Sequence, residues 1–225
     1  MLDRVLEPEV MGGADEVMEY DAIDHQQVNI AFAEDFLRLP SLGPDCLDLG
    51  TGTALIPIEI CRRSPSIRVM GADASIAMLD LARYHIDVHG MLDRIQLIHA
   101  DAKHLIFEDA YFDSVVSNSL VHHLPDPSPM IREAWRVLRP QGWLFIRDLC
   151  RPSSMEEVEM LVATYAAGET PFSQQLLRQS LVAALNLVEI RAILDDLSIA
   201  SQAVQMTSDR HWTLQVQKSV NAGNR

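Results

Sequence analysis

The sequence predicts an open α/β sheet: parallel strands joined by crossover helices, closed by an antiparallel pair. Three observations carry this expectation. From residue 45 onward, short apolar runs alternate with longer segments of helical period. Five of those runs stop at a glycine or polar turn, where the strands of such sheets deliver their ligand-binding ends. The C-terminal stretch then holds two alternating segments split by Thr207-Ser208-Asp209-Arg210, the pattern of a hairpin.

The predicted strands cover residues 46–49, ending in a glycine turn; 67–72, ending at Asp73; 95–99, ending at Asp101; 112–117, ending at Asn118; and 143–147, ending at Asp148. Helices are predicted over 54–63, 75–89 and 129–138, the last stopped by Arg139-Pro140-Gln141-Gly142. Beyond residue 150 helices are expected over 156–165 and 172–197, then strands over 200–206 and 212–218. The first 44 residues lack a strand pattern. Residues 15–39 read as one or two helices, either capping the sheet end or packing as a flank on the outer helices. No repeat, low-complexity tract or Pro/Gly-rich linker divides the chain. One domain over 1–225 is expected, with a helical cap over 1–44, a core over 45–150, and further helices and the closing hairpin over 151–225.

With 225 residues, 48% of them apolar, a core can form without staples, and global disorder is excluded. Eighteen basic residues stand against 32 acidic ones, a formal charge of −14 that repels a nucleic-acid backbone on average. The cysteines Cys46, Cys61 and Cys150 have no C-x-x-C spacing, so neither a disulfide framework nor a zinc knuckle is expected, a reducing cytoplasm suits them, and no metal ligands are predicted. The N-terminus is acidic where a signal peptide needs a basic flank, and no apolar run approaches membrane-spanning length. The sequence leaves a homodimer open.

The most informative stretch is Leu47-Asp48-Leu49-Gly50-Thr51-Gly52-Thr53-Ala54. Gly50 and Gly52 let the chain turn sharply off the first strand and lay bare backbone against a ligand. The dinucleotide fingerprint G-x-G-x-x-G/A is not matched, because the small residues fall at 50, 52 and 54. Asp48 sits uncomfortably for a phosphate but can attract a cationic or amine-bearing ligand. Asp73, at the end of the second strand, can accept hydrogen bonds from the cis hydroxyls of a ribose, or it can cap the helix entered through Ala74-Ser75. Asp101-Ala102 can receive an adenine amine and ring nitrogen, or form a plain surface turn.

The series Asp48-x-Gly50-x-Gly52-x-Ala54, Asp73, Asp101-Ala102, Phe112-Asp113-Ser114-Val115-Val116-Ser117-Asn118 and Leu138-Arg139-Pro140-x-Gly142-Trp143 resembles the class I S-adenosylmethionine-dependent methyltransferases. The resemblance covers about residues 45–149, and the closing hairpin fits it. It implies a Rossmann-like seven-stranded mixed sheet in the order 3-2-1-4-5-7-6, strand seven antiparallel, with helices on both faces. It further implies S-adenosyl-L-methionine as cofactor and S-adenosyl-L-homocysteine as product. Gly50 and Gly52 would bed the methionyl part, with Asp48 on the side of its ammonium. Asp73 would hold the ribose, Asp101 with Ala102 the adenine, and Ala74 belongs to the same cofactor-binding set. Met78 would pack on the adenine or serve as plain core. Asn118 and Tyr20 complete the cofactor-facing set. Ala54 stands where the family often has glycine.

Methyl transfer from a sulfonium asks the protein mainly to position an acceptor and exclude water. The fourth strand end, Ser117-Asn118-Ser119-Leu120-Val121-His122-His123-Leu124-Pro125, lacks the N/D-P-P-Y/F signature of methyltransferases acting on nucleic-acid bases or glutamine. With the acidic charge, this favours a small-molecule acceptor, the alternatives being a cofactor-binding protein of the same fold with other chemistry, or a protein or RNA methyltransferase. His122 and His123 are candidates for a general base, the alternative being that they fix the loop. His123 and Arg151 are candidates for acceptor binding, Arg151 pairing with a substrate acid or with an acid of the cap. Tyr20, His25 and Asn29 could cover the cofactor or lie on an ordinary solvated helix. Phe172-Ser173-Gln174 and the segment 181–185 could wall the acceptor site.

Overall fold

The computed structural model describes residues 2–7, 13–23 and 25–220; Asp24 of the N-terminal stretch lies outside the described residues, as do Met1, 8–12 and 221–225. Strands β1 (Asp45–Leu49), β2 (Arg68–Asp73), β3 (Ile95–His99), β4 (Phe112–Asn118), β5 (Leu138–Leu149), β6 (Val204–Met206) and β7 (His211–Gln217) form one sheet in the order β3-β2-β1-β4-β5-β7-β6. The first five are parallel, and β7 runs antiparallel to both β5 and β6. This is the sheet the sequence predicts. Strand order reverses between β1 and β4, which opens a crevice at their carboxyl ends.

Because successive side chains on a strand point to opposite faces, each buried strand feeds two cores. On one face Cys46, Val116 and Phe145 meet Phe32 and Phe36 of α2 (Gln26–Leu37), Ile58 of α3 (Leu55–Arg63) and Ile86 of α4 (Ile76–Val88). On the other, Leu47, Leu49, Val115, Leu144 and Ile146 meet Met130, Ile131 and Ala134 of α5 (Ser128–Val137) and Ile190 and Leu194 of α8 (Leu187–Asp196). Each such side chain, once buried, stabilises by roughly 1.5–3 kcal/mol before entropy is counted. A third cluster joins Leu149 to Val158 and Val162 of α6 (Met155–Tyr165) and Leu181 of α7 (Pro171–Ala183). It seats α6 and α7 over the carboxyl end of β5.

Three expected elements differ. The helix over 172–197 is two helices, because Asn186 accepts hydrogen bonds from the Val188 and Glu189 N–H groups and closes a capping box with Glu189. The fifth strand begins at Leu138 rather than 143, and Pro140 and Gly142 lie inside it. The register against β4 jumps between Phe112 and Ser114, and a bulge there tolerates both residues; a Cβ on Gly142 would stand 2.6 Å from the Asp113 carbonyl oxygen. The strand expected over 200–206 keeps only Val204–Met206, a short 3₁₀ turn taking Ser201–Ala203.

The N-terminal residues divide between the two roles considered for them. Helix α2 is a flank, with Phe32 edge-on to Phe145 at 5.1 Å. Helix α1 (Ala14–Asp21) lies over the crevice, held to α4 by Asp21 and His85 at 3.0 Å. Among the described residues no helix is long and apolar enough to cross a membrane.

Candidate active site

The glycine turn is built by backbone hydrogen bonds from Gly50 and Thr51 N–H to the Ala72 carbonyl, 2.9 and 3.0 Å long. Gly50, Gly52 and Ala54 all have left-handed backbones, at φ 68°, 54° and 63°. A Cβ on Gly50 would press on Leu120 at 2.9 Å, whereas one on Gly52 would meet nothing within 4 Å. Gly52 therefore presents bare main chain to open space. Ala54 carries the family's third small position in a conformation that costs an L-residue roughly 1–2 kcal/mol. Ala54→Gly is expected to stabilise the fold by about 1 kcal/mol, read as a higher urea midpoint at unchanged slope.

Asp73 joins the turn directly. One carboxylate oxygen accepts from Gly52 N–H and the other from Ser75 N–H, both at 2.8 Å. The capping role falls to Ser75, whose hydroxyl accepts from Met78 N–H at 3.3 Å. Burial raises the Asp73 carboxyl above its ordinary value against the pull of the Ser75 and Gly52 amides. Asp48, 2% exposed, lies under the turn; burial pushes its carboxyl up to about 7, with the Thr51 hydroxyl opposing and Asp73 adding to the rise.

The turn opens on a cavity of about 400 Å³. Gly50, Gly52, Asn118, Tyr20, His25, Asn29, His122 and His123 line it, as does Ser173 of the expected acceptor wall. Burial raises the Tyr20 phenol, and Asp73 and Asp21 add to that, so its hydroxyl keeps its proton. Asp48, Asp73, Ala74, Met78, Asp101 and Ala102 do not line this cavity. Met78 is 7% exposed, Ala74 is exposed and Ala102 is half-buried. Asp101 sits on an exposed turn, accepts from Lys103 N–H at 2.9 Å and pairs with the Lys103 ammonium at 3.1 Å. The segment 181–185 is core: Leu181 and Ala183 are fully buried, and the wall is formed by the preceding turns at Leu176, Leu177 and Ser180.

Arg151 requires a correction. Its Nε donates to the Leu2 carbonyl at 2.9 Å, its Nη1 to the Ala184 carbonyl at 2.7 Å, and its Nη2 pairs with Glu189 at 2.5 Å. It does not line the cavity, and the bridge between Cys150 and Leu185 sets the chain here beside the α7–α8 junction. Arg151→Ala is expected to cost about 2 kcal/mol of stability and to leave cofactor affinity unchanged, since the loss is of hydrogen bonds to a buried charged group. Chemical denaturation beside calorimetry separates the two.

At the far end of the cavity stands a group the sequence did not assemble. Asp148 accepts from Val121 and Leu149 N–H, both at 2.7 Å, and its Oδ1 lies 2.5 Å from His122 Nδ1. Glu7 Oε1 lies 3.3 Å from His122 Nε2 and 3.0 Å from His123 Nδ1. The N-terminal strand of chain that carries Glu7 is pinned by Arg4, which donates to the carbonyls of His122, Leu124, Pro125 and Ala183. Burial opposes ionisation of Asp148, but His122 outweighs it and holds the carboxyl below the ordinary range. Burial likewise opposes the charge on Glu7, and His123 and His122 outweigh it. His122 is raised in turn: burial lowers it, and Asp148 and Glu7 more than compensate. With a carboxylate beside each ring nitrogen, His122 is fixed in place with the loop that carries it. His123, with 23% of its side chain exposed, is the less enclosed of the pair.

Known proteins fit this arrangement. The family of methyltransferase domains matches residues 47–146. A release factor glutamine methyltransferase of Chlorobaculum tepidum is 45% identical over 102 residues, 44% of this chain and 32% of that protein. A demethylmenaquinone methyltransferase of Lactobacillus johnsonii is 34% identical over 113 residues, 50% of this chain and 46% of that protein. The chain thus spans less than half the length of either relative. A solved structure from Methanococcus maripaludis, described as a proposed S-adenosyl-L-methionine-dependent methyltransferase, superposes with a TM-score of 0.75 at 21% identity, covering 96% of this chain and 97% of its own. Glycine turn, sheet order and matched segment agree, and together they support a class I S-adenosylmethionine-dependent methyltransferase, the family model covering a little under half of the chain.

Proposed function

We propose that the chain is an S-adenosylmethionine-dependent methyltransferase whose acceptor is a small molecule. The observation that carries this reading is the bond from Gly52 N–H to Asp73, which fuses the glycine turn and the second strand end into one ligand bed beside the cavity. The bed suits the cofactor: Gly52 leaves room for a ligand against the main chain, and the small residues at 50, 52 and 54 do not match the dinucleotide spacing a pyrophosphate asks for. Gly50 and Gly52 would hold the amino-acid tail, and Asp73 the ribose. Asp101 and Ala102, outside the cavity lining, would bound the adenine from the rim, with Ala74 and Met78 on the neighbouring helix start.

Bound there, S-adenosylmethionine supplies an activated methyl group on sulfur. The chain contributes binding, alignment and exclusion of water, for which α1 above and α7 beside the cavity provide the walls. His122 holds the loop after β4, and His123 faces the space left for the acceptor. A small acceptor is supported by the walled cavity, by the absence of an N/D-P-P-Y/F sequence after β4, and by the likeness to a demethylmenaquinone methyltransferase. Calorimetry with S-adenosylmethionine and S-adenosylhomocysteine tests the cofactor. Transfer of tritiated methyl from S-adenosylmethionine into a cell extract, fractionated by size, tests the acceptor. Label in the low-mass fraction is expected; label confined to protein or nucleic acid would overturn the acceptor class.

A further inference from the structure

We propose that Glu7, His122 and His123 bind a single divalent cation of borderline softness, such as zinc, cobalt(II) or iron(II), at the far end of the cavity. One ligand atom from each of the three lies within 4.8 Å of the others. The separations from Glu7 Oε1, 3.3 and 3.0 Å, are those of neighbouring ligands around an ion with bonds of about 2.1 Å. A hydrogen bond explains the shorter one poorly. His123 Nδ1 is buried and makes no hydrogen bond of ordinary geometry, although the Glu7 oxygen is 3.0 Å away.

The surroundings are those of a metal centre. His122 offers Nε2 to the site while its other ring nitrogen is held by Asp148 at 2.5 Å, the carboxylate–histidine pairing that fixes ring and tautomer at metal ligands. Ser180 donates its hydroxyl to the Glu7 carboxylate at 3.3 Å. Arg4 anchors the segment that brings Glu7 in. Two imidazoles and a carboxylate suit a borderline cation better than magnesium or calcium. All three ligands line the cavity, and three protein ligands leave coordination positions open. Resting on the methyl-transfer reading, those positions favour an acceptor that carries an oxygen donor.

The test is titration of the EDTA-treated full chain with cobalt(II), followed by visible d–d absorption. One equivalent is expected to bind, with Glu7→Gln and His123→Ala each weakening affinity tenfold or more, and Asp148→Asn by roughly 10–100-fold. Circular dichroism establishes that each variant is folded. Should the variants not fold, paramagnetic shifts of the histidine proton resonances in the unaltered chain decide the matter: two imidazoles shifted at one equivalent is the expected result. No saturable cobalt band, affinity unchanged in folded variants, or shifts at other histidines would overturn the site. Titration with S-adenosylhomocysteine is scored separately. Cobalt binding without it would sink the cofactor reading and leave the cation site standing, and the converse result would do the opposite.

Discussion

Gly52→Val is expected to weaken S-adenosylhomocysteine binding more than a hundredfold, a loss of over about 2.7 kcal/mol. The residue sits at φ 54° with open space where its Cβ would be, so the added side chain projects into that space, where the proposed ligand would lie, rather than into the protein. Its cost to the fold is confined to the left-handed backbone, roughly 1–2 kcal/mol and somewhat more for a branched residue. A melting curve with a single cooperative transition, beside a flat calorimetric trace, is the expected pair of results. Gly50 would not give so clean a separation, because a side chain there strikes Leu120 and disturbs the loop itself.

Asp73→Ala is expected to weaken cofactor binding by about 1.5–3 kcal/mol, roughly tenfold to over a hundredfold. The carboxylate already accepts one backbone hydrogen bond on each oxygen, and a carboxylate retains further acceptor sites for ribose hydroxyls. Asp73→Asn separates the two functions of the side chain. It keeps one acceptor oxygen but loses the charge, so an intermediate loss by calorimetry is expected. Unchanged affinity in both variants would remove Asp73 from the site.

The sheet and its strand ends were legible because burial on both faces leaves runs such as Val115-Val116 and Leu144-Phe145-Ile146, and because those runs stop at polar turns. The glycine turn was legible for a local reason: backbones at φ 68° and 54° favour residues without a Cβ. The break between α7 and α8 was missed because Leu181 to Leu197 keeps an apolar helical period across it, and only the Asn186–Glu189 capping pair marks the boundary. The start of β5 was missed because Pro140 and Gly142 carry the same signal in a bulge as at a helix end.

The far end of the cavity was half legible. His122-His123 stood out as a pair, yet Glu7 reaches them through tertiary packing of a segment with no periodicity, held by Arg4. Arg151 was misassigned because charge and strand-end position do not tell which side a side chain leaves from; its partners come from Leu2, Ala184 and Glu189. His211 lines the cavity for a reason that topology supplies: an antiparallel β7 must begin where β5 ends, and His211 pairs with Leu149. Burial lowers its imidazole to about 4, so it stays neutral at physiological pH.

The most direct measurement is a crystal structure of the chain soaked or co-crystallised with S-adenosylhomocysteine. The amino-acid tail should lie on the backbone of Gly50 to Gly52, the ribose hydroxyls within hydrogen-bonding reach of Asp73, and the sulfur toward His123. A nucleoside bound away from that turn, or density absent at saturating ligand, would contradict the account.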